Sequence, residues 1–215
     1  SLVLIPTVII NFLGIKFIAS RMGQKKALLF GTYGAIGTSV LMFCLMVWGD
    51  PSSFSFTNIS FFTIAFCLLW IFQKGFSGIS GNIVIPMTAD CADYETYRTG
   101  KYVPGLMGTL FSFVDKVISS LASTIVALMF ALVGYAQEVP TDKSPWSEGL
   151  FWVVVIAFTI VPIIGWLCNV VAMKFYPLTK EKMEEIQEKI AEIKAKNLAE
   201  NEAAAAAEAV EAELP

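Results

Sequence analysis

Histidine is missing from this sequence, and charged residues make up only 15% of its 215 positions. Without histidine the usual zinc ligand sets cannot form, and no cluster of Lys and Arg offers a nucleic-acid-binding surface. The four cysteines are too far apart to suggest a disulfide framework or a metal knuckle: they are Cys44, Cys67, Cys91 and Cys168. No cofactor or metal site is indicated. With 56% hydrophobic residues, the composition is typical of a membrane protein.

Long apolar runs fill most of residues 1–176. We predict five membrane-spanning helices, because each run supplies most or all of the roughly 20 residues that a span requires. Their predicted limits are 1–19, 27–48, 57–88, 105–135 and 150–174, and residues 177–215 are predicted to form a charged helical tail. The fold class is therefore an all-α membrane protein. Because the sequence opens inside an apolar run without Met or a basic leader, we expect a fragment of a longer chain.

The distribution of Lys and Arg between the spans predicts the orientation. The turn after the first span contains Arg21, Lys25 and Lys26, and the segment after the third contains Arg98 and Lys101. The alternate turns contain no basic residue and one basic residue, respectively. Since basic residues favour the cytoplasmic side, the tail is predicted to be cytoplasmic and the first span to begin outside, in the inner (plasma) membrane of the cell.

Three glycines recur every third residue in the second predicted span: Gly31, Gly34 and Gly37. Such a face would let a neighbouring helix approach closely. Glycine is also simply common in membrane helices, and this second interpretation stays open.

A charged pair lies deep in the fourth predicted span. Lys116 is about a dozen residues, hence about 16–18 Å, from the start of the span. That depth is too large for easy snorkelling in a bilayer core about 30 Å thick, so an ionisable group here is a candidate functional residue. Asp115 is adjacent and points elsewhere on the helix, whereas Ser112 is one turn before Lys116 on the same face. The alternative is a structural salt bridge between helices.

The second half of the third predicted span is unusually polar. Gln73, Lys74 and Asn82 lie there among serines and glycines. Such side chains are costly against lipid, so this half is predicted to face protein or a watery cavity. A cavity that binds a hydroxyl-rich solute and a helix-packing role are both open.

A charged segment at 89–103 is predicted to be a cytoplasmic loop that carries Asp90, Asp93, Glu95 and Arg98. Two carboxylates three residues apart can support acid–base catalysis, but no nucleophile, histidine or metal set accompanies them. The pattern therefore does not favour an enzyme.

The tail begins after Pro177, and Thr179 is a candidate N-cap for its helix. Met183, Ile186, Ile190 and Ile193 recur every three or four residues and form one apolar stripe. The stripe permits docking or a short coiled coil. The simpler interpretation is a surface helix that frays into the Ala/Glu-rich end.

The charged segment and the start of the fourth predicted span resemble a known family. The residues concerned are Ala89-Asp90-Cys91-Ala92-Asp93-Tyr94-Glu95, Arg98-Thr99-Gly100-Lys101, Pro104-Gly105 and Lys116. They resemble the AD-x-x-DY loop, TG-[RK] turn and helix-eleven lysine of the glycoside–pentoside–hexuronide:cation symporters. This family is the melibiose-permease-like branch of the major facilitator superfamily, and the resemblance extends over about residues 1–185.

The resemblance implies a carboxy-terminal helical bundle, with the five spans as helices eight to twelve of twelve. It implies that Lys116 and Ser112 lie near the sugar and the coupling cation. Arg21 would belong to the basic cytoplasmic motif, although Ser20 replaces its usual acidic residue and Lys16 its usual glycine. Gly81 also stands where the melibiose-permease branch has a tryptophan.

The resulting hypothesis is a secondary active transporter, part of a sodium- or proton-coupled sugar or glycoside symporter that works by alternating access. The cation ligands are expected in the amino-terminal half of the same carrier. The expected substrate-binding or coupling residues are Lys116, Ser112, Asp115, Lys74, Gln73 and Asn82. The expected cytoplasmic gate, closed by salt bridges, comprises Asp90, Asp93, Tyr94, Arg98 and Arg21. The alternative is a major facilitator carrier for a non-sugar solute such as an organic acid or a peptide. The expected partners are the solute, membrane lipid and the amino-terminal half, and no nucleic acid.

Overall fold

The computed structural model describes residues 4–56, 58–100, 104–136, 140–141 and 144–192. The chain begins with α1 (Leu4–Gly14), a π-helical segment (Ile15–Ala19) and the single turn α2 (Ser20–Met22). A sharp reversal at Gly23, whose φ is 81°, leads into α3 (Gln24–Trp48). Glycine suits this reversal because other residues rarely adopt a positive φ.

Helix α4 (Phe61–Thr99) is the longest element and extends well beyond its predicted end. Ser60 caps it by accepting a hydrogen bond from the backbone N–H of Thr63, and Gly100 ends it in the left-handed conformation, with φ 71°. The segment at 89–99, predicted to be a loop, is therefore helical. Its charged residues project from a rigid element that continues from the apolar part of α4.

After α5 (Pro104–Leu132) the chain returns through α6 (Glu148–Val155), a π-helical segment (Ile156–Ile160) and α7 (Val161–Phe175). The wider π turn directly precedes Pro162, whose ring nitrogen cannot donate the usual helical hydrogen bond. A further helix, α8, occupies residues 180–192. Thr179 caps it, since its Oγ1 accepts a hydrogen bond from the Lys182 backbone N–H at 3.3 Å. The remainder of the predicted tail, 193–215, lies outside the described residues.

Four helices within the described part of the chain are long and apolar enough to cross a membrane. They are Gln24–Trp48, Phe61–Thr99, Gly105–Leu132 and Glu148–Phe175. The segment Ile5–Phe17 is a shorter apolar helix. The protein is thus an all-helical, multi-pass membrane protein, and the predicted first span falls short of the length of the other four.

Helices α3 and α4 pack through glycine. A Cβ atom on Gly31 would lie 2.9 Å from the Phe76 carbonyl oxygen and 2.9 Å from the Ser80 backbone nitrogen, and one on Gly34 would strike the Phe76 ring. A Cβ on Gly37 would meet nothing within 4 Å. The predicted close approach therefore occurs at Gly31 and Gly34 and not at Gly37.

Helix α1 packs on another face of α4, again at small residues. A Cβ on Gly75 would lie 2.6 Å from a methyl of Ile10, and one on Gly78 would collide with the amide of Asn11. Much of the polar, glycine-rich half of α4 therefore serves helix packing, in the way small residues do in membrane bundles.

Candidate functional site

Two predicted site residues of α5, Ser112 and Lys116, lie on one face of that helix, and Asp115 lies at the edge of this face. Ser112, Asp115 and Lys116 are all exposed, and no residue in the most apolar 18-residue window of α5 is buried. The opposite face of α5 lines a cavity of about 400 Å³ through Met107, Leu110, Phe111 and Val114. The polar face thus points away from the rest of the described bundle.

The same cavity sets the register between α4 and α5. It is lined by Val84 and Cys91 from α4, by Val114 and Met107 from α5, and by Tyr176 beyond α7. The two helices run in opposite directions. Asn82 precedes Val84 by two residues and Lys116 follows Val114 by two residues, so both are displaced from the cavity in the same direction. These two predicted site residues therefore lie at about the same level.

Gln73 and Lys74 are adjacent in the sequence, but their side chains have different surroundings. Gln73 is only 6% exposed, and its Oε1 has no hydrogen-bond partner among the described residues. Lys74 is exposed, with its ammonium 5.1 Å from the centre of the Trp70 ring, which stacks on Phe158 at 4.7 Å. They lie about 12–14 Å along α4 from Asn82 at 1.5 Å per residue. The structure does not bring them together with Lys116.

A buried polar cluster that the sequence did not reveal joins three helices. The Oγ atoms of Thr32 on α3 and Ser80 on α4 are 2.9 Å apart. Asn169 on α7 donates from Nδ2 to the Thr32 Oγ1 at 3.0 Å. An amide within an otherwise apolar span is a recognisable signal for such an inter-helix contact, and the sequence interpretation missed it.

Four of the five predicted gate residues occupy the last three turns of α4, and the fifth, Arg21, lies in α2. Arg98 pairs with Glu95 at 3.1 Å on the exposed surface of the same helix. Asp93 accepts a hydrogen bond from the Gln187 amide of α8 at 2.5 Å. Asp90 and Gln24, at the start of α3, line the same cavity.

The two other predicted gate residues make aromatic contacts. Tyr94 stacks with Tyr97 at a centroid distance of 6.4 Å and packs against the apolar stripe of α8. The Arg21 guanidinium lies 6.0 Å from the centre of the Phe17 ring. Among the described residues, the ion pairs found are Arg98–Glu95 and two within α8, so the structure contains no salt bridge that closes the predicted gate.

The tail helix is docked rather than loose on the surface. Leu178, Ile186 and Ile190 are 4%, 0% and 3% exposed. They pack against side chains from α4, from the end of α7 and from α8 itself, namely Cys91, Tyr94, Tyr97, Tyr176 and Met183. The interpretation of the stripe as a docking surface is therefore the correct one for the described part of the tail.

Charges on α8 reinforce this contact. The Lys182 and Lys189 ammonium groups lie 5.8 and 5.2 Å from the centre of the Tyr97 ring, and a hydrogen bond from Lys182 lowers the pKa of Glu185. Burial raises the pKa of the Tyr176 phenol further above its usual value, which is already well above physiological pH.

Comparison with known proteins places the chain among carriers. A family model described as MFS/sugar transport protein matches residues 1–180. The chain is 29% identical over 168 residues to the glucuronide carrier protein homolog of Escherichia coli (strain K12), covering 78% of this chain and 33% of the relative. It is 24% identical over 184 residues to the isoprimeverose transporter of Lactiplantibacillus pentosus, covering 85% and 34%.

A third relative, from Escherichia coli (strain K12), is described as a proposed 2,3-dihydroxypropane-1-sulfonate exporter; it is 27% identical over 175 residues, covering 79% of this chain and 33% of the relative. No solved structure matches the chain. The chain spans about a third of the length of these relatives. Because the family model covers residues 1–180, most of the 215, the chain belongs to the MFS/sugar transport protein family, a family of transporters and not of enzymes.

Proposed function

We propose that the chain is the carboxy-terminal part of a cation-coupled sugar or glycoside symporter that works by alternating access. In this proposal α1 is the outermost part of a fifth span, and the five spans correspond to helices eight to twelve of twelve. Basic residues at Arg21, Lys25, Lys26 and Lys174 support a cytoplasmic location for the tail and for the last turns of α4, in the plasma membrane.

The observation that carries the proposal is the outward-facing polar stripe of α5. Ser112, Lys116, Ser119, Ser120 and Ser123 are all exposed on the face opposite the cavity-lining residues. A lysine and a row of hydroxyls are costly against lipid, so this stripe requires a protein or water-filled neighbour. The amino-terminal half of the same carrier, with the solute between the halves, meets that requirement.

The level of Lys116 supports a role inside the membrane. Met107 lines the same cavity as Tyr176, which directly follows the last membrane-spanning helix. Lys116 is nine residues and about 13 Å further along α5. This depth is slightly less than the 16–18 Å counted from the predicted helix start, but it still leaves the ammonium close to the bilayer centre. Asn82, at the same level on α4, offers both a donor and an acceptor for a hydroxyl group.

Each residue then has a stated task. Lys116 supplies a positive donor to the solute or to carboxylates of the amino-terminal half, and Ser112 supplies a hydroxyl one turn away. Asp115 adds a negative charge beside them for the coupling cation, sodium or proton, whose other ligands belong to the amino-terminal half. Lys74 and Gln73 lie outside this level, which supports packing and outer-cavity roles for them over direct solute contact.

A second candidate is a major facilitator carrier for a non-sugar organic anion. The supporting observation is the relative described as a proposed sulfonate exporter, together with the exposed cation of Lys116. A carboxylate or sulfonate would pair with that ammonium in a charge-assisted hydrogen bond.

Counterflow with the full-length carrier in proteoliposomes tests both candidates. Labelled glycosides, glucuronides and sulfonates are compared for exchange, with and without a sodium or proton gradient. We expect Lys116→Ala to abolish uphill accumulation while the protein still reaches the membrane. Lys174→Ala, which removes a lysine at the end of α7, is the matched control and is expected to transport normally. Normal accumulation by Lys116→Ala would contradict the assignment of the site.

A further inference from the structure

Helix α8 lies beyond the residues that the family model matches, which end at residue 180. It is nonetheless joined to the bundle by Ile186 and Ile190, which are 0% and 3% exposed, next to Leu178 just before the helix, which is 4% exposed. Removing aliphatic side chains of this size from water stabilises the docked position. An apolar contact of this size favours a helix that stays docked over one that detaches at every turnover.

The docked helix contacts the elements that carry the predicted gate. Gln187 holds the Asp93 carboxylate, and Lys189 donates to the Tyr97 hydroxyl at 3.3 Å. Both contacts involve the last two turns of α4. Because Gln187 is neutral, it orients the carboxylate without cancelling its charge.

The segment around α8 also reaches the beginning of α3. The Lys25 ammonium donates to the backbone carbonyl of Tyr176, just before α8. A Cβ on Gly23 would lie 3.0 Å from the Cβ of Lys180, so the α2–α3 turn and the first residue of α8 are in close contact. A cavity of about 310 Å³ between these elements is lined by Gln24, Asp90 and Gln187, among others.

We propose that α8 is a brace that fixes the cytoplasmic ends of α3, α4 and α7 as one rigid unit and thereby positions the carboxylates of Asp90 and Asp93. The proposal rests on the proposed transport function, because the unit would move as a whole when the carrier opens to the cytoplasm. The brace acts on the rate of that transition and leaves solute binding, which takes place about two turns deeper, unchanged.

Cys91 provides a native probe of docking, because this half-buried residue packs against the cluster formed by Leu178, Ile186 and Ile190. In the full-length carrier, Cys44, Cys67 and Cys168 are replaced by alanine, and inside-out vesicles are treated with a membrane-impermeant maleimide. Ile186→Glu places a charge at a position that is 0% exposed, whereas Ala191→Glu places the same residue at an exposed position of the same helix. Ile186→Ala provides a milder step in case the charged variant fails to insert.

The expected results concern labelling and transport separately. Ile186→Glu should raise the labelling rate of Cys91 by at least about tenfold, which corresponds to only about 1.4 kcal/mol. It should also lower the maximal uptake rate severalfold, with the solute KM unchanged. Ile186→Ala should show smaller changes in the same directions, and Ala191→Glu should match the parent.

Two results would overturn the proposal. Unchanged labelling in Ile186→Glu would show that α8 does not cover Cys91, and faster labelling with an unchanged uptake rate would show that docking does not serve transport. If the parent carrier exchanges none of the solutes tested, the proposed function fails. The labelling arm, which needs no solute, still decides whether the brace is docked.

Discussion

The close contact between α3 and α4 at Gly31 can be tested by adding a single Cβ atom there and comparing the effect with the same addition at a matched control position. Gly31→Ala adds a Cβ that would lie 2.9 Å from two backbone atoms of α4, the Phe76 carbonyl oxygen and the Ser80 nitrogen. Gly37→Ala adds the same atom to the same helix where nothing lies within 4 Å. The two variants therefore differ in packing and in little else.

The magnitude combines three contributions. Alanine is favoured over glycine in a helix interior by about 0.8–1 kcal/mol, and this gain applies equally to both variants. At Gly31 the added atom meets backbone, which cannot rotate away, so overpacking costs about 1–3 kcal/mol. Separation of the helices also strains the 2.9 Å contact between Thr32 and Ser80, worth about 1 kcal/mol. We expect Gly31→Ala to be less stable than Gly37→Ala by about 2–4 kcal/mol.

Thermal unfolding of the purified full-length carrier in detergent measures this difference. Because the full-length carrier is more than twice as long as this chain, each kcal/mol shifts its Tm by about 1–2 °C, so the Tm of Gly31→Ala should fall at least about 2 °C below that of Gly37→Ala. Gly37→Ala should unfold at or slightly above the parent Tm. Equal Tm values for the two variants would refute the inferred close approach of α3 and α4, and so would a Gly37→Ala that is the less stable of the two.

Two further predictions concern the polar cluster and the end of α4. Asn169→Leu removes the amide that donates to Thr32 and should destabilise the purified carrier by about 0.6–1.7 kcal/mol. The double change Asn169→Leu with Thr32→Val should lower the Tm by less than the sum of the two single changes. Strict additivity of the Tm changes would argue against the cluster. Gly100→Ala, at φ 71° with open space around it, should cost about 1–2 kcal/mol from backbone strain alone. Gly100→Asn should recover part of that loss in the same Tm assay, and no difference between the two would contradict a left-handed residue at this helix end.

The long apolar helices could be predicted from the sequence because lipid imposes a length and a composition on a spanning helix. The prediction for α5, residues 105–135, lies close to the observed Pro104–Leu132. The glycine spacing in α3 likewise indicated a close helix contact, since only a missing side chain permits one. Spacing alone could not separate Gly31, which contacts α4, from Gly37, which does not.

The extent of α4 could not be read from its charges. Residues such as Asp93, Glu95 and Arg98 are equally at home in a loop and on the solvated end of a helix. The Arg98–Glu95 pair, three residues apart, is compatible with the helical interpretation. The helix ends at Gly100, whose positive φ stops it. The glycine was visible in the sequence, but the loss of apolar residues suggested an earlier end.

Contacts between residues that are far apart in the chain could not be predicted from the sequence. The partner of Asp93 is Gln187, and the partner of Thr32 is Asn169. In each case the local sequence pattern describes the surroundings of one residue of the pair but does not identify its distant partner. The apolar stripe of the tail predicted a surface that needs cover, without identifying Tyr94 and Tyr97 as the residues that provide it.

The contacts within this bundle also bear on how a gate could close against the other half of a carrier. In the Arg98–Glu95 pair the arginine is exposed and the glutamate half-buried. Ion pairs so close to solvent contribute little, so Arg98 is readily released to another partner. Asp93 uses Oδ2 for the Gln187 amide, and a carboxylate has about four acceptor positions. Its charge is therefore positioned but not neutralised, which suits the proposed gate, in which Asp93 meets a cation of the other half. A lysine in place of Gln187 would have neutralised the charge of Asp93 and weakened its attraction to such a cation.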